Sequence, residues 1–577
     1  MGVSTFFGLN VGTSALEAMN QAESVTANNL ANQNTPGYVQ ETTNFGELSP
    51  YPPAGETSIA GQIGTGVNVE SVTRQTSAFI SQQDRLNQGT YQMYSTHSSG
   101  LTQIQSILNE PSSNSIQNSL DQFFASWQSL SSDPSNTSDR QGVISQAEML
   151  SQTFSTVTQQ LEQMASGLNT TVGNPNYYMI TPSTLTTASS TTSVSSTGLI
   201  SSDINFLSAL TTTTSQNQLV FTAANSSTGT LSYSVQLETN GIMGTAVPIT
   251  QSGTYTLTNS SGLSISADIP NPSSLIPSGT VLSTGATYTL AESFTTPDGG
   301  QLSQLNDYVN QVSQLNQQIE SVNATGENPN TLLDQRSAIL DSLSQMANIS
   351  YTQYSSGAIS LTIGATQVIN ANGVVTPFTQ ADLSQVTSGS IQGNQQSIAD
   401  ANNLLTQLNQ LLTQFSSQVN TIQSTGYGLV SMTPNTATAN MFNVNTDSFG
   451  NVQLSFNSNI TASDVAAASS PGQPGDNSNA MKMIQLQNEP IYNNGTLDQG
   501  IAQMVSNIGI EANSTTSSED TANALMQQSS SMRQSISGVD ANQQEALMVE
   551  YQNTFSAAAK FIGIVDSMLQ TLIGMVS

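Results

Sequence analysis

Few side chains in this 577-residue chain have the chemistry for catalysis, and their placement argues against it. There is no cysteine, one histidine (His97) and one tryptophan (Trp127). Without Cys, a disulfide framework, a zinc–thiolate site and a thiol nucleophile are excluded. A lone imidazole cannot assemble a histidine metal site, and it leaves His97 as the one candidate base for a serine nucleophile. Serine is abundant, yet no Gly-x-Ser-x-Gly elbow occurs. Asn443-Val444-Asn445-Thr446-Asp447 begins like a calcium loop, but Ser448 stands where the turn requires Gly and Leu454 where a bidentate Glu is required. Glu519-Asp520 falls on a helical stretch and reads as solvated. His97 lies on a helical stripe and Trp127 sits beside Phe123 and Phe124, so both read as core residues. The expectation is a protein that is not an enzyme and has no catalytic, metal or cofactor-binding residues.

Charge narrows the partners. Only 8% of residues are charged, against roughly 25% in an average soluble domain, and 37 acids face 7 bases for a net charge of −30. Nucleic-acid binding needs clustered Lys and Arg, and so does adhesion to an anionic membrane. With so few bases, most carboxylates are expected to be solvated, and solubility rests on Ser, Thr, Asn and Gln. No run of 18 consecutive apolar residues occurs, so no membrane insertion is expected. Residues 1–10 lack a basic region and an extended apolar stretch, and do not read as a cleaved signal.

The elements that carry these residues alternate between helix and strand. Leu9, Gly12, Leu16, Met19, Glu23, Thr26 and Leu30 form a helical stripe that Pro36 and Gly37 end. Residues 40–72 read as loop and hairpin. A helix from Ser77 carries Leu86, Met93, His97, Leu101, Ile104 and Leu108, and a shorter one spans about 114–131. After Asp133-Pro134, Ser138 or Asp139 is the expected cap of a long helix striped from Val143 to Val172. Residues 173–299 turn Ser/Thr-rich, with alternating patches at Leu219–Phe221 and Tyr233–Leu237 and turn signals at Asn240-Gly241, Pro270–Pro272 and Pro297–Gly299. Helical stripes return at 302–319, 332–343, 393–424 and 497–536. The last helix, 541–577, repeats apolar residues at spacings of four and three and would be about 55 Å long. Its narrow stripe cannot bury itself, and neither can the N-terminal one. Pairing the two ends as a coiled coil satisfies both, and so does packing each as a core helix of an ordinary globular bundle; heptad stripes alone do not reveal the partner.

The fold class expected is multidomain α+β: paired, coiled-coil-like N- and C-terminal helices, a helical bundle, and outward β-rich insertions. The expected domains are 1–75 with 541–577 (terminal helices), 76–172 with 300–347, 389–426 and 475–540 (bundle), 348–388 with 427–474 (β-rich), and 173–299 (β insert).

Asn28-Asn29-Leu30-Ala31-Asn32-Gln33-Asn34-Thr35-Pro36-Gly37-Tyr38 resembles the N-terminal signature of bacterial flagellar axial proteins. Arg74 with Phe79, Ile80, Gln83 and Arg85, then Asp133-Pro134, Arg140-Gln141, Leu332-Leu333-Asp334-Gln335-Arg336, Gly475–Ala480 and the run from Gly538 through Gln543-Gln544-Glu545 and Tyr551-Gln552 to Leu572 are similar, in order, to the hook-associated protein 1 family. The resemblance implies a structural, self-assembling component of the flagellum at the junction of hook and filament. Its implied partners are copies of itself in a ring, the hook protein, the second junction protein (hook-associated protein 3) and a cytoplasmic export chaperone. Its implied location is the extracellular flagellum, reached by the flagellar type III route. Residues implied for self-assembly are Asn28, Asn29, Leu30, Ala31, Asn32, Asn34, Thr35, Pro36, Gly37 and Tyr38. Those implied for terminal-helix packing and chaperone binding are Leu547, Tyr551, Ala558, Phe561, Val565, Met568 and Leu572. The Ser/Thr-rich insert also fits a second reading, a secreted adhesin or surface-layer-type protein. Because the partners of the ends are taken to be other copies, a lone chain is expected to have unordered ends.

Overall fold

The stripes read from the sequence become long helices because each presents one apolar face to a neighbour, and four of them also begin at a side chain that caps the first turn. The computed structural model describes residues 6–35, 37–50, 63–173, 300–435, 440–446 and 451–576, and within 174–299 the strands named below with residues 245–246. Helix α1 (Phe7–Ala31) leads into an antiparallel pair, β1 (Glu41–Glu47) and β2 (Val67–Arg74). Then come α2 (Ala78–Leu108), α3 (Ile116–Ser132) and α4 (Thr137–Val172). Ser77 caps α2 and Ser115 caps α3 through their hydroxyls. The cap of α4 is Asn136, which accepts from the Ser138 and Asp139 amides, and not either of those residues themselves. Asn136 follows the Asp133-Pro134 turn directly, so its short amide reaches the first free N–H groups.

The insert contributes β3 (Ile180–Thr181), β4 (Thr186–Thr187), β5 (Asn205–Phe206), β6 (Asn217–Asn225), β7 (Leu231–Thr239), β8 (Ile242–Met243), β9 (Val247–Pro248), β10 (Gly253–Thr258), β11 (Ser264–Ile269) and β12 (Thr287–Phe294). Strands β3, β12, β6, β7 and β8 are neighbours in that order in one sheet, and β10, β11 and β5 form another. The turn signals expected at 240–241, 270–272 and 297–299 lie outside the described residues.

Helices α5 (Gln301–Ala324) and α6 (Asn330–Met346) follow, then the meander β13 (Ile349–Gln353), β14 (Ile359–Ile363) and β15 (Thr366–Ile369). Helix α7 (Gly389–Thr425), the hairpin β16 (Phe442–Thr446) and β17 (Val452–Phe456), α8 (Ser478–Leu486), α9 (Leu497–Ser537) and α10 (Ala541–Val576) complete the chain. Helix α8 has no counterpart in the sequence reading, because nine residues are too few to display a stripe. Helix α9 opens on a capping box of Thr496 and Gln499.

Two cores form. The larger joins α2, α3, α4 and α7 with β16, β17, α8 and the start of α9. Its centre is aromatic: Phe123 meets Trp127, Phe124 and Phe415 edge-on, and Trp127 is fully buried. The smaller core joins α5 and α6 to β13–β15. The β stretches at 348–388 and 427–474, grouped as one domain from sequence, therefore lie in different cores. Alternation reveals a strand's buried face but not which helices cover it. Leu86, placed on the α2 stripe from sequence, is 46% exposed; Asp84 and Arg85 take the inner positions instead.

Helix α2 is the spine. It runs antiparallel to α9, since Asn87 donates to the Leu525 carbonyl while His97, about three turns further along α2, meets Thr515, which comes earlier on α9. His97 Nε2 lies 2.7 Å from Asp400 of α7, and its Nδ1 lies 3.4 Å from the Thr515 hydroxyl. One imidazole thus ties three helices. At Gly393 of α7 a Cβ would sit 2.5 Å from the Met93 carbonyl oxygen, so α2 and α7 touch backbone to backbone only because that residue is glycine.

Asp476 orders the turn before α8. Its carboxylate accepts from the Ser478 amide (2.9 Å) and hydroxyl (2.5 Å) and from the Ser469 amide (2.8 Å). Burial opposes its ionisation, but these bonds outweigh it and hold the carboxyl down to about 2. A depressed folded pKa contributes stability above the unfolded value of 3.8 that is lost as pH falls toward about 2. Amide exchange at Ser478 should show Asp476→Asn less protected than the parent at pH 7, with the gap closing between pH 4 and 2. A gap of equal size at both ends of that range would refute the assignment.

Candidate assembly site

The seam between α1 and α10 is built from residues too small to separate the helices. Gly8, Gly12, Ala18, Ala22 and Thr26 recur at spacings of four and six, and all but Gly8 are buried. A Cβ on Gly12 would meet Ile562 Cγ1 at 2.5 Å, and one on Gly8 would meet Val565 at 3.3 Å. Further along, Gln552 Nε2 donates to Glu23 (3.0 Å) and Asn29 Nδ2 donates to Gln544 (3.0 Å). Residue numbers rise on one helix as they fall on the other, so the pair is antiparallel. Phe45 of β1 extends the seam, edge-on to Tyr551 at 6.2 Å. Among the described residues no ion pair joins α1 to α10; amides and apolar contact do. Both ends are helical in the single chain, contrary to the expectation of unordered ends, because each supplies the other's missing face.

The signature residues form a knuckle at the end of this seam. Asn32 folds back on Asn28, donating to its carbonyl (3.0 Å) and its side-chain oxygen (2.9 Å), and Thr35 donates to Asn32 (3.1 Å). Gly37 turns the chain with φ +79 against Ala338 of α6. Tyr38 donates to Asn29 Oδ1 (2.8 Å), and Asn28 donates to the Tyr38 hydroxyl (3.3 Å). Burial, with help from Glu41 and Asp334, pushes the Tyr38 phenol well above its usual pKa. Asn29 is 1% exposed. Leu30 is half-buried, Ala31 and Asn34 are exposed, and Pro36 lies outside the described residues.

On α10 the expected stripe divides. Leu547, Tyr551, Ala558 and Val565 are half-buried, whereas Phe561 is 43% and Met568 65% exposed. The side chain of Leu572 lies outside the described residues. The covered positions, among them Gln544, Leu547, Tyr551, Ala558, Ile562, Val565 and Leu569, keep the heptad spacing, but the second row runs through Ile562 and Leu569, one residue past the expected Phe561 and Met568. On the other side, Lys560, Gly563, Ile564, Ser567, Met568, Thr571 and Met575 line an open groove. An 18-residue window here reaches a mean hydropathy of 1.2 with none of it buried, so by length and composition this helix could cross a membrane, a possibility the sequence reading had set aside. Lys560, Asp566 and Gln570 interrupt it at helical spacing, which suits a packing surface better than lipid.

A charged joint fastens the knuckle to the bundle. Arg74 of β2 pairs with Asp334 of α6, whose carboxyl burial pushes up against the pull of the guanidinium. The Gln40 amide donates to the Ser537 carbonyl (2.9 Å). Behind them, Arg533 of α9 bridges Asp84 of α2 (3.0 Å) and Asp341 of α6 (2.7 Å). Asp341 also binds Arg85 (2.7 Å), and Asp84 accepts from Ser529 (2.9 Å) and Gln88 (2.9 Å). Burial works against the charge of Arg533, but Asp341 and Asp84 more than offset it. A polar cleft of about 910 Å³ opens between this joint and the knuckle, with Tyr38, Gln40, Arg533 and Asp540 on its walls. Sequence reasoning flagged neither Arg533 nor Asp84. The usable signal was scarcity: a chain with five arginines places each for a reason. Among the described residues, no group of three or more His, Cys, Asp or Glu gathers to hold a metal.

Comparison with known proteins finds related signals at both ends and in the middle. The family described as flagella basal body rod protein matches residues 9–38, and that described as flagellar basal body rod FlgEFG protein C-terminal matches 528–575. The helical domain of flagellar hook-associated protein FlgK matches 101–175 and 289–381. The chain is similar to flagellar hook-associated protein 1 of Bacillus subtilis, 34% identical over 179 residues, which is 30% of this chain and 35% of that one. It is similar to the proteins of the same name from Salmonella typhimurium, 33% over 166 residues, and Escherichia coli, 32% over 171, each alignment covering 29% of both chains. The matched stretches thus span about a third of these relatives' own length. The solved flagellar hook junction protein FlgK from Burkholderia pseudomallei aligns with a TM-score of 0.49 and 14% identity, covering 79% of this chain and 100% of that one.

Arg533 supplies the test of the joint. Removing one partner from a buried ion network strands the others, at a cost of about 3–5 kcal/mol. Arg533→Met should lower the urea midpoint accordingly, since Asp84 is 1% exposed. Arg533→Lys should recover only part of the loss, because a point charge cannot bridge two carboxylates as a planar fork does. Full recovery by Lys would show that the bridge is not what matters.

Proposed function

We propose that this chain is a structural component of the bacterial flagellum that assembles as the junction between hook and filament. The observation that carries the reading is the α1–α10 pair: one side of α10 is closed by α1, while Ile564, Met568, Ile573 and Met575, each more than half exposed, lie bare on the rest of the helix. A lone soluble chain gains nothing from such a ridge, whereas stacked copies bury it. The rod-family matches at both termini and the hook-associated match between them support this reading over a surface adhesin, which has no need of paired ends.

In this reading the terminal pair is a coiled-coil-like element of the inner tube, and the β-rich insertions project outward, where their sequence is free to vary. The bundle and the two cores form the middle layer. The protein rests on the hook protein, forms a ring with its own copies and receives the second junction protein, hook-associated protein 3, above. Export by the flagellar type III route places it outside the cell. A cytoplasmic chaperone holds the stripe from Leu547 to Leu572 until then, because an uncovered amphipathic helix is an aggregation hazard. Within the motif Asn28–Tyr38, Asn29 and Tyr38 order the pair through bonds inside the chain, while Asn28, Ala31, Asn34 and Thr35 stay exposed and are left for neighbouring copies.

The test uses the exposed ridge, whose substitution leaves the folded chain intact. A chain carrying Ile564→Asp and Met568→Asp should keep its helix content and melting behaviour yet fail to join purified hooks. If the doubly substituted chain joins hooks as the parent does, the ridge is not the assembly surface and the reading falls.

A further inference from the structure

We propose that Asn29 is the register key of the terminal helix pair, the residue that decides which length of α10 lies against α1. The rest of the seam carries little register information. On α1 it offers Gly8, Gly12, Ala18 and Ala22, and on α10 it offers apolar residues at spacings of three and four. Sliding α10 by seven residues would put Ala558 where Val565 now meets Gly8, still an apolar contact. Apolar burial is non-directional and separates such registers weakly. Buried hydrogen bonds separate them strongly, because an amide left without its partner keeps the whole cost of losing water.

The Asn29 amide is fully used. Its Oδ1 accepts from the Tyr38 hydroxyl (2.8 Å) and the Glu41 amide (2.9 Å), and its Nδ2 donates to the Glu41 carbonyl (2.8 Å) and to Gln544 Oε1 (3.0 Å). An asparagine has two acceptor sites and two donor hydrogens, and all four are taken. Asn29 and Gln544 are each 1% exposed. The bond between Gln552 and Glu23 also crosses the helices, but it is exposed and water replaces it at little cost. A slipped pair would leave Gln544 buried without Asn29. Tyr38 and Glu41 bind the same amide, so the register is tied to the knuckle and to the start of β1. A single buried asparagine fixing the alignment of two apolar helices is a known device, held at some cost in stability. Here it sets which side chains of α10 stay outside for neighbouring copies, a consequence that rests on the junction reading.

The chain has no cysteine, so introduced pairs report register cleanly. Gly8→Cys with Val565→Cys reports the native alignment, where a Cβ on Gly8 lies 3.3 Å from Val565. Gly8→Cys with Ala558→Cys reports a slip of one heptad. In the full-length chain the first pair should cross-link and the second should not. Adding Gln544→Leu removes the interhelix bond, leaves the Asn29 bonds to Glu41 and Tyr38, and keeps the seam apolar. The native-to-slipped cross-linking ratio should then fall by roughly five- to thirtyfold, with helix content by circular dichroism unchanged. Gln552→Leu should leave the ratio as it is in the parent. The proposal is overturned by an unchanged ratio in Gln544→Leu, by an equal fall in Gln552→Leu, or by loss of helix content together with both cross-links. Hook joining by the parent chain is scored separately; its failure refutes the junction reading and leaves the register result standing.

Discussion

A shortage of positive charge governs how this molecule holds together. Its five arginines must join elements that are long, polar-faced and weakly attracted to one another. All five arginines stand where separate elements meet. Arg74 joins β2 to α6, and Arg85 joins α2 to α6 and to Tyr351 of β13. Arg533 joins α9 to both α2 and α6. Arg140 is fully buried and donates to the carbonyls of Pro134, Ala462 and Val465, binding the α3–α4 turn to the loop after β17. Arg336 donates to Asn316 of α5 and to the Gly357 carbonyl before β14, and burial lowers its pKa to about 10. Guanidinium suits this work because its fork satisfies several acceptors at once. An exposed pair would contribute at most about 1 kcal/mol, so scattering the same charges over the surface would leave the joints open.

The consequence is a division of labour. Charge fastens the middle of the chain, where α2, α6 and α9 converge. Amide hydrogen bonds and close apolar contact fasten the ends, where Gly12 meets Ile562 and Asn29 meets Gln544. The two systems meet at the knuckle, where the Gln40 amide binds the Ser537 carbonyl and Arg74 binds Asp334 beside Tyr38. The terminal pair is thereby aimed by the bundle while its outer face stays free. The proposed stacking of copies needs both properties, a fixed direction and an unfinished surface.

What was legible in the sequence follows from periodicity. The long helices were visible because each repeats an apolar residue over many turns, and α10 over nearly its full length. The strands β6, β7 and β14 were visible as alternation. Helix α8 was not, being too short to repeat, and the Asn136 cap was missed because Ser138 and Asp139, within the next three residues, are equally good caps by type. The stripe of α10 was drawn through Phe561 and Met568, whereas the covered row runs one residue on, through Ile562 and Leu569; apolar residues stand at both, and only the position of α1 shows which side is covered.

Composition and pattern by themselves determined that this chain is helical at its ends, poor in cations, without cysteine and with a single histidine, and unable to satisfy its terminal stripes alone. The motif order gave the family resemblance. The tertiary structure decided what pairs with what: that α1 runs antiparallel on α10, that β13–β15 and β16–β17 belong to different cores, and that Asp84, Asp341 and Arg533 meet across three helices 449 residues apart in sequence at the widest. The reason is physical. Local pattern fixes which face of an element must be covered, because water penalises apolar surface wherever it lies, but the choice among possible covers depends on contacts between residues far apart in the chain, which no local spacing encodes.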